Sequence, residues 1–276
     1  MTFSIVARSI DGESWGVAVA SKFLAVGSAV PAAVAGLGAV ATQAAANVAW
    51  KGQVLALLDE GATAQVALDR VLEEDDERAH RQVGIVDQEG GAVAHTGEEC
   101  LDWAGHRVGD QMTTQGNVLV GPEVLDAMHA SWAETAEEPD LARRLLAALR
   151  AGDSVGGDRR GRQSAALLVV REGAGYGGLD DVAVDLRVDD HGAPCEELAR
   201  LLDLHRIYLT ESSEDERLPM TPELREELDG LARHAGQPDL LAWVGCENYE
   251  MRVDRGPDPQ WVDPFVVEQL RRTREG

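Results

Sequence analysis

The chain has 276 residues, 44% of them hydrophobic and only 4% aromatic, which suits one large domain, or one domain with a small appendage, around a core of Ala, Val and Leu. Its 49 acidic and 25 basic side chains give a formal net charge of −24, which argues against a nucleic-acid partner and against anionic membrane surfaces, because both need a basic face. Three dispersed cysteines, Cys100, Cys195 and Cys246, have no CxxC spacing; this argues against zinc and fits a reducing compartment.

In chain order, FSIVARSI (3–10) and SWGVAVAS (14–21) read as strands joined by the turn DGE. Two further short strands are expected within 28–43, around Gly36 and Gly38. Helical spacing begins at 47–61 and again at 63–80, where Thr63 suits an N-cap and Val66, Ala67, Val71 and Leu72 suit a buried stripe. Residues 81–97 read as a hairpin with QEGG at its tip. Helices are expected at 121–135 and 140–152, strands at 163–172 and 181–190, and a helix at 194–209 that opens on Pro194.

Strands and helices thus come in pairs, which argues against Rossmann and barrel topologies and for stacked antiparallel sheets with helices outside. GLGAVA (36–41) matches a dinucleotide fingerprint, but Pro31 interrupts the strand that should precede it, so no such cofactor is expected. The acidic stretch 211–219 reads as a linker, and 220–276 as a small helical module. No secretory leader pattern and no membrane-length apolar run is visible, so the chain is expected to be cytoplasmic.

The chemistry starts at Thr2. Initiator methionine is usually removed before threonine, which leaves a free α-amine beside the Thr2 hydroxyl. With a pKa of about 8, that amine is partly neutral and can act as base for its own Oγ1. The element order resembles the four-layer αββα sandwich (an α+β fold) of the N-terminal-nucleophile (Ntn) hydrolases, which cleave amides with an N-terminal Thr, Ser or Cys.

The segments TFSIVARS, GVAVASKFLAVGSAVPAAVAGLGAVATQA, QVGIVD, QGNVLVG, AGDSVGGDRRGRQSAAL and DLRVDDH resemble the successive signatures of the domain-of-unknown-function family numbered 1028, from about Thr2 to Leu209. That family implies an Ntn-hydrolase-like fold and supplies no substrate. The tail TPELREELDGL…VGCENYEMRVD resembles an extension on some members that is labelled peptidoglycan-binding; a cytoplasmic location sits badly with that label.

Several polar residues are candidates around Thr2. Lys22 resembles the lysine that lowers the nucleophile's amine pKa in Ntn hydrolases, and reads equally as a snorkelling surface lysine. Thr42, Gln43 and Asn47 lie at a strand-to-helix junction, with Asn47 suited to an N-cap. Gln115 and Asn117 flank a glycine, either as oxyanion donors or in a polar turn. In GGDRRGRQS (156–164), Asp158 could orient Thr2 and Arg159 could hold a carboxylate, with Gln163 and Ser164 following. Asp189, Asp190 and His191 end a strand, where contact with the site or helix capping is expected rather than metal ligation.

The expected function is amide hydrolysis of a small-molecule substrate by Thr2, without metal or cofactor. A homodimer is the expected assembly, since Ntn folds often pair. The alternative is a non-catalytic protein that binds a small molecule or glycan on the same scaffold.

Overall fold

The computed structural model describes residues 2–274, and the chain divides into two compact units, the first running to Arg200 and the second starting at Leu201. The first opens with the hairpin β1 (Thr2–Arg8) and β2 (Ser14–Ser21), a single turn α1 (Val26–Ala29), then β3 (Pro31–Val34) and β4 (Gly38–Ala44). Gly36, at φ 74°, turns the β3–β4 hairpin, so GLGAVA does not join a strand to a helix as a dinucleotide site requires.

Two helices follow, α2 (Trp50–Asp59) and α3 (Ala64–Glu73). Thr63 caps α3 by accepting from the Val66 N–H. The buried stripe of α3 is Ala64, Ala67, Leu68 and Val71, whereas Val66, expected in it, is exposed. Next come β5 (Arg81–Asp87), β6 (Ala92–Thr96), β7 (Gly105–Gly109), β8 (Met112–Asn117), α4 (Glu123–Glu134), α5 (Leu141–Ser154), β9 (Ser164–Arg171), β10 (Val182–Val188) and α6 (Pro194–Leu209). The β7–β8 hairpin had no counterpart in the sequence reading, and QGN (115–117) is buried strand rather than a turn.

Among the described residues the strands of this unit form two antiparallel sheets, one ordered β10-β9-β2-β1-β8-β7 and the other β3-β4-β5-β6. Val6, Val17 and Val19 of the larger sheet pack with Ala39, Ala41 and Val86 of the smaller. Each buried valine contributes roughly 1.5 kcal/mol or more, so this apolar layer fixes the spacing of the sheets. Alternate residues fall on the other face of the larger sheet, where α5 packs over β1, β2 and β9. Trp50, Val54 and Leu58 of α2 and Ala67 and Val71 of α3 pack with Val40, Val83 and Ile85 of the smaller sheet.

In the second unit, β11 (Leu218–Pro219), α7 (Pro222–His234), α8 (Leu240–Glu247), β12 (Trp261–Val262) and α9 (Pro264–Arg272) surround Leu228, Leu240, Trp243, Val266 and Leu270. Residues 211–219, expected as a linker, belong to this unit: Ser212 is buried and bonded to Asp263, and β11 pairs with β12. Arg252, 4% exposed, organises these contacts. Its guanidinium reaches Asp263 Oδ2 at 2.9 Å, Ser212 Oγ at 3.1 Å and the carbonyls of Arg206, Ile207 and Thr210. Among the described residues no helix is long and apolar enough to cross a membrane.

Candidate active site

Strand register brings the start of β1 to one end of the larger sheet. Thr2 pairs with Asn117 of β8 on one side, Phe3 pairs with Ala20 of β2 on the other, and Ser21 pairs with Ser164 of β9. Val6 faces the smaller sheet, so Ser4 and Thr2 share that face by the two-residue alternation. Thr2 is 5% exposed, and its Oγ1 lies 3.2 Å from Ser21 Oγ.

At this end the apolar layer between the sheets gives way to a buried polar cluster. Gln115 Nε2 donates to Ser4 Oγ at 2.7 Å, and Ser4 Oγ donates to Gln43 Oε1 at 2.7 Å. Gln43 Nε2 donates to Gln82 Oε1 at 2.8 Å and more weakly to the Thr2 carbonyl at 3.4 Å. Asn117 Nδ2 also donates to Gln82 Oε1, at 2.9 Å. Gln82 Nε2 donates in turn to the carbonyls of Gly116 and Gly105 and to Thr96 Oγ1. The amide groups of Gln43, Gln82 and Gln115 each donate in a consistent direction, while Gln115 Oε1 is buried without a partner among the described residues; the bonds to Gln82 Oε1 tie the two sheets together at this end. Gln43 and Gln82 meet because they are register partners across β4 and β5.

A second set of bonds holds the end of β2. The Asp158 side chain, 2% exposed, accepts from the Lys22 N–H at 2.7 Å, the Arg160 N–H at 2.9 Å and the Arg160 guanidinium. Its backbone forms a β-bridge with Leu119, just past β8. Gly157, at φ 53°, lets this loop close on β1: a Cβ there would stand 2.9 Å from the Phe3 ring. Asp158 therefore braces the backbone next to Ser21, which touches Thr2.

The candidates separate cleanly. Thr2, Gln43, Gln115 and Asn117 are brought together, and Asp158 is bonded to the backbone of Lys22. Lys22 Nζ donates to the Arg162 carbonyl at the exposed surface. Asn47 does not occupy the N-cap of α2, which is Ala49; its side chain accepts from the Ala49 N–H and donates to Asp75, outside the cluster. Arg159, Asp190 and His191 are exposed, and His191 Nδ1 accepts from the Ala193 N–H. Gln163 bonds the His191 N–H through its backbone carbonyl, and Ser164 Oγ bonds Phe23 O and the Val26 N–H, pinning the turn after β2.

Sequence reasoning missed Ser4, Ser21, Gln82, Thr96 and His106. A usable signal was present in β1: Ser4 falls on the same alternating face as Val6, so a polar residue had to be buried there.

Beside Asn117 lies a cavity of about 530 Å³, lined by Ala44, His80, Glu99, Cys100, Leu101 and Val118 among others. His80 Nε2 faces Glu99 at 3.2 Å. Cys100 is a poor nucleophile here, because burial pushes its thiol pKa up, against the opposing effect of the Gly97 bond, and its Sγ–H donates to the Arg81 carbonyl. Among the described residues no group of three or more His, Cys, Asp or Glu side chains is arranged to hold a metal ion.

At the far side of the cluster, His106 Nδ1 lies 2.9 Å from Thr96 Oγ1. Burial, and then the charges of His95 and Arg107, push its pKa below the ordinary histidine value. The unfolded chain therefore binds more protons just below pH 6.5, and the stability tied to His106 is full above that pH and falls as pH drops toward the folded pKa. His106→Gln is expected to lose less stability than the parent between pH 7.5 and pH 5, read as urea midpoints at each pH.

The first unit is an α+β protein with two antiparallel sheets that bury a polar cluster at the start of their first strand. The chain belongs to the family of unknown function DUF1028, whose model matches residues 2–198; the second unit, which starts at Leu201, lies beyond that match. Among solved structures it is similar to a Silicibacter pomeroyi protein of the same family, with 33% sequence identity and a TM-score of 0.67. That match covers 74% of this chain and 86% of the other. No curated protein matches the chain.

Proposed function

We propose that the chain is an amide hydrolase of the N-terminal-nucleophile type, with Thr2 as nucleophile once Met1, which lies outside the described residues, is removed. One observation carries the reading. Thr2 Oγ1 sits at the start of β1 on the inter-sheet face, against Ser21 and beside the amide cluster, with Asn117, its strand partner, lining a cavity. The two sheets, with α4 and α5 against one and α2 and α3 against the other, are read as the αββα sandwich of that class.

In this mechanism the α-amine of Thr2 takes the hydroxyl proton as Oγ1 attacks the amide carbonyl, and passes it to the departing amine. The acyl ester on Oγ1 is then hydrolysed by water. Asn117 Nδ2 carries two hydrogens; Gln82 takes one, and the other is the proposed oxyanion donor. Asp158 and Lys22 act as positioning residues through the Lys22 backbone, rather than by direct contact of either side chain with substrate.

The test is intact-mass spectrometry of untagged protein before and after exposure to an electrophilic β-lactone. The expected result is loss of Met1 and a single adduct that is absent from Thr2→Ala and retained in Cys100→Ser. Retention of Met1, or an adduct that survives Thr2→Ala, would defeat the mechanism. Reversible ligand binding indifferent to Thr2→Ala would instead favour a binding protein.

A further inference from the structure

At the opposite end of β1, about 20 Å from Thr2 along the strand, lies a second cavity of about 350 Å³. Its walls combine Arg8, Arg144 and His129 with the apolar surfaces of Ile10, Met112 and Trp132, and Asp110 is the acidic residue among them. Two features set it apart.

The first is Arg144. The first unit buries this guanidinium (5% exposed), and the second unit buries Arg252 equally well. Arg252 is met by the Asp263 carboxylate and several carbonyls. Arg144 has the Trp132 ring, 3.6 Å from its guanidinium carbon, and the Trp132 carbonyl at 3.2 Å. Its Nε is buried and finds no acceptor among the described residues. Burial pushes its pKa below the usual guanidinium range, and only the more distant charge of Glu138 opposes this. A buried cation without a carboxylate partner is costly, and a chain with net charge −24 has no shortage of carboxylates to supply one.

The second feature is the company Arg144 keeps. Arg8 is held by neutral acceptors, the Gly12 carbonyl and Gln111 Oε1, and so keeps its charge uncompensated by these bonds. His129 Nδ1 is buried without a partner among the described residues. Its ring approaches β7 because residue 109 is glycine, where a Cβ would stand 2.9 Å from His129 Cε1. Three nitrogen-bearing side chains thus converge on one cavity with apolar walls.

We propose that this cavity binds a small organic monocarboxylate with an apolar body, its carboxylate held by Arg144 and Arg8 and its hydrocarbon part against Trp132 and Met112. A guanidinium pair matches carboxylate geometry, and the walls suit a body about the size of a benzene ring. A monoanion also meets less repulsion from the acidic surface than a polyanion does. This site is independent of the chemistry at Thr2.

The experiment titrates the full-length protein with benzoate, with the neutral isostere benzamide and with inorganic phosphate, using calorimetry and tryptophan fluorescence. Saturable binding of benzoate at millimolar concentration or below is expected, with neither benzamide nor phosphate matching it. Arg144→Met, checked for folding by circular dichroism, is expected to weaken benzoate by about tenfold or more. Ala133→Leu adds bulk at the exposed helical rim of the cavity and replaces neither arginine, and is expected to abolish binding even if Arg144→Met fails to fold. No saturable benzoate binding, equal binding of benzamide or phosphate, or undiminished benzoate affinity in a folded Arg144→Met or in Ala133→Leu would overturn the assignment.

Discussion

Gln82→Leu is expected to destabilise the first unit by about 5 kcal/mol. The new side chain fills nearly the same volume, so the loss does not come from a cavity. It comes from the partners left behind. Gln43 Nε2 and Asn117 Nδ2 lose their shared acceptor, while Thr96 Oγ1 and the carbonyls of Gly105 and Gly116 lose their donor. Each buried polar group left unpaired costs about 1–3 kcal/mol. Even if relaxation recovers half of these bonds, the sum is on the order of 5 kcal/mol, against a typical total of about 5–15 kcal/mol.

Gln82→Glu makes the measurement specific to the network. Its oxygens still accept from Gln43 and Asn117, but the ionised carboxylate cannot donate. Burial raises the folded pKa of such a carboxyl above its unfolded value, so the folded state binds the extra proton. The stability of this variant relative to the parent should therefore rise as pH is lowered from 7 toward 5, because the protonated acid regains a donor. Urea denaturation of both variants at two pH values tests this. A Gln82→Leu protein with parental stability would mean that the cluster is held together by other contacts.

These bonds also explain what could be read from the sequence. Elements with clean apolar periodicity were legible: β2 at 14–21 and α6 at 194–209 match to the residue. The β7–β8 hairpin was not, because the buried positions of β8 include Thr113, Thr114, Gln115 and Asn117, which look like loop residues. Their burial rests on strand and sheet partners far away in sequence, Ser4 of β1 for Gln115 and Gln82 of the other sheet for Asn117, and such pairing is invisible within any local window. The same reason hid the folding of 211–219, where Ser212 is fixed by Asp263, 51 residues further on.

The candidate site was legible in part. Thr2, Gln43, Gln115, Asn117 and Asp158 stood out as polar residues at element ends, but only register shows that Gln43 faces Gln82 and Thr2 faces Asn117. Gln82 was overlooked because it follows Arg81 in RQVGIV and reads as the polar start of a strand. Asp190 and His191 carried the same polar signal but lie on an exposed turn, so residue type alone did not separate inward from outward.

Asp158→Ala is expected to slow β-lactone labelling of Thr2 by about a hundredfold while the protein stays folded, a prediction that rests on the proposed nucleophile. The carboxylate does not bond Thr2 in this geometry; it acts through the chain. It holds the N–H of Lys22, the preceding residue is Ser21, and Ser21 Oγ meets Thr2 Oγ1. Without the carboxylate the Lys22 and Arg160 N–H groups lose their acceptor, at a cost of about 2–4 kcal/mol, and the end of β2 can shift relative to β1. A displacement of about 1 Å at a reacting atom is enough for the expected rate loss. Asp158→Asn keeps an acceptor oxygen for the Lys22 N–H and should recover part of the rate. The decisive comparison is labelling rate against folded fraction across these variants. If Asp158→Ala lowers stability but labels Thr2 at the parental rate, Asp158 braces the sheet edge and plays no part in placing the nucleophile.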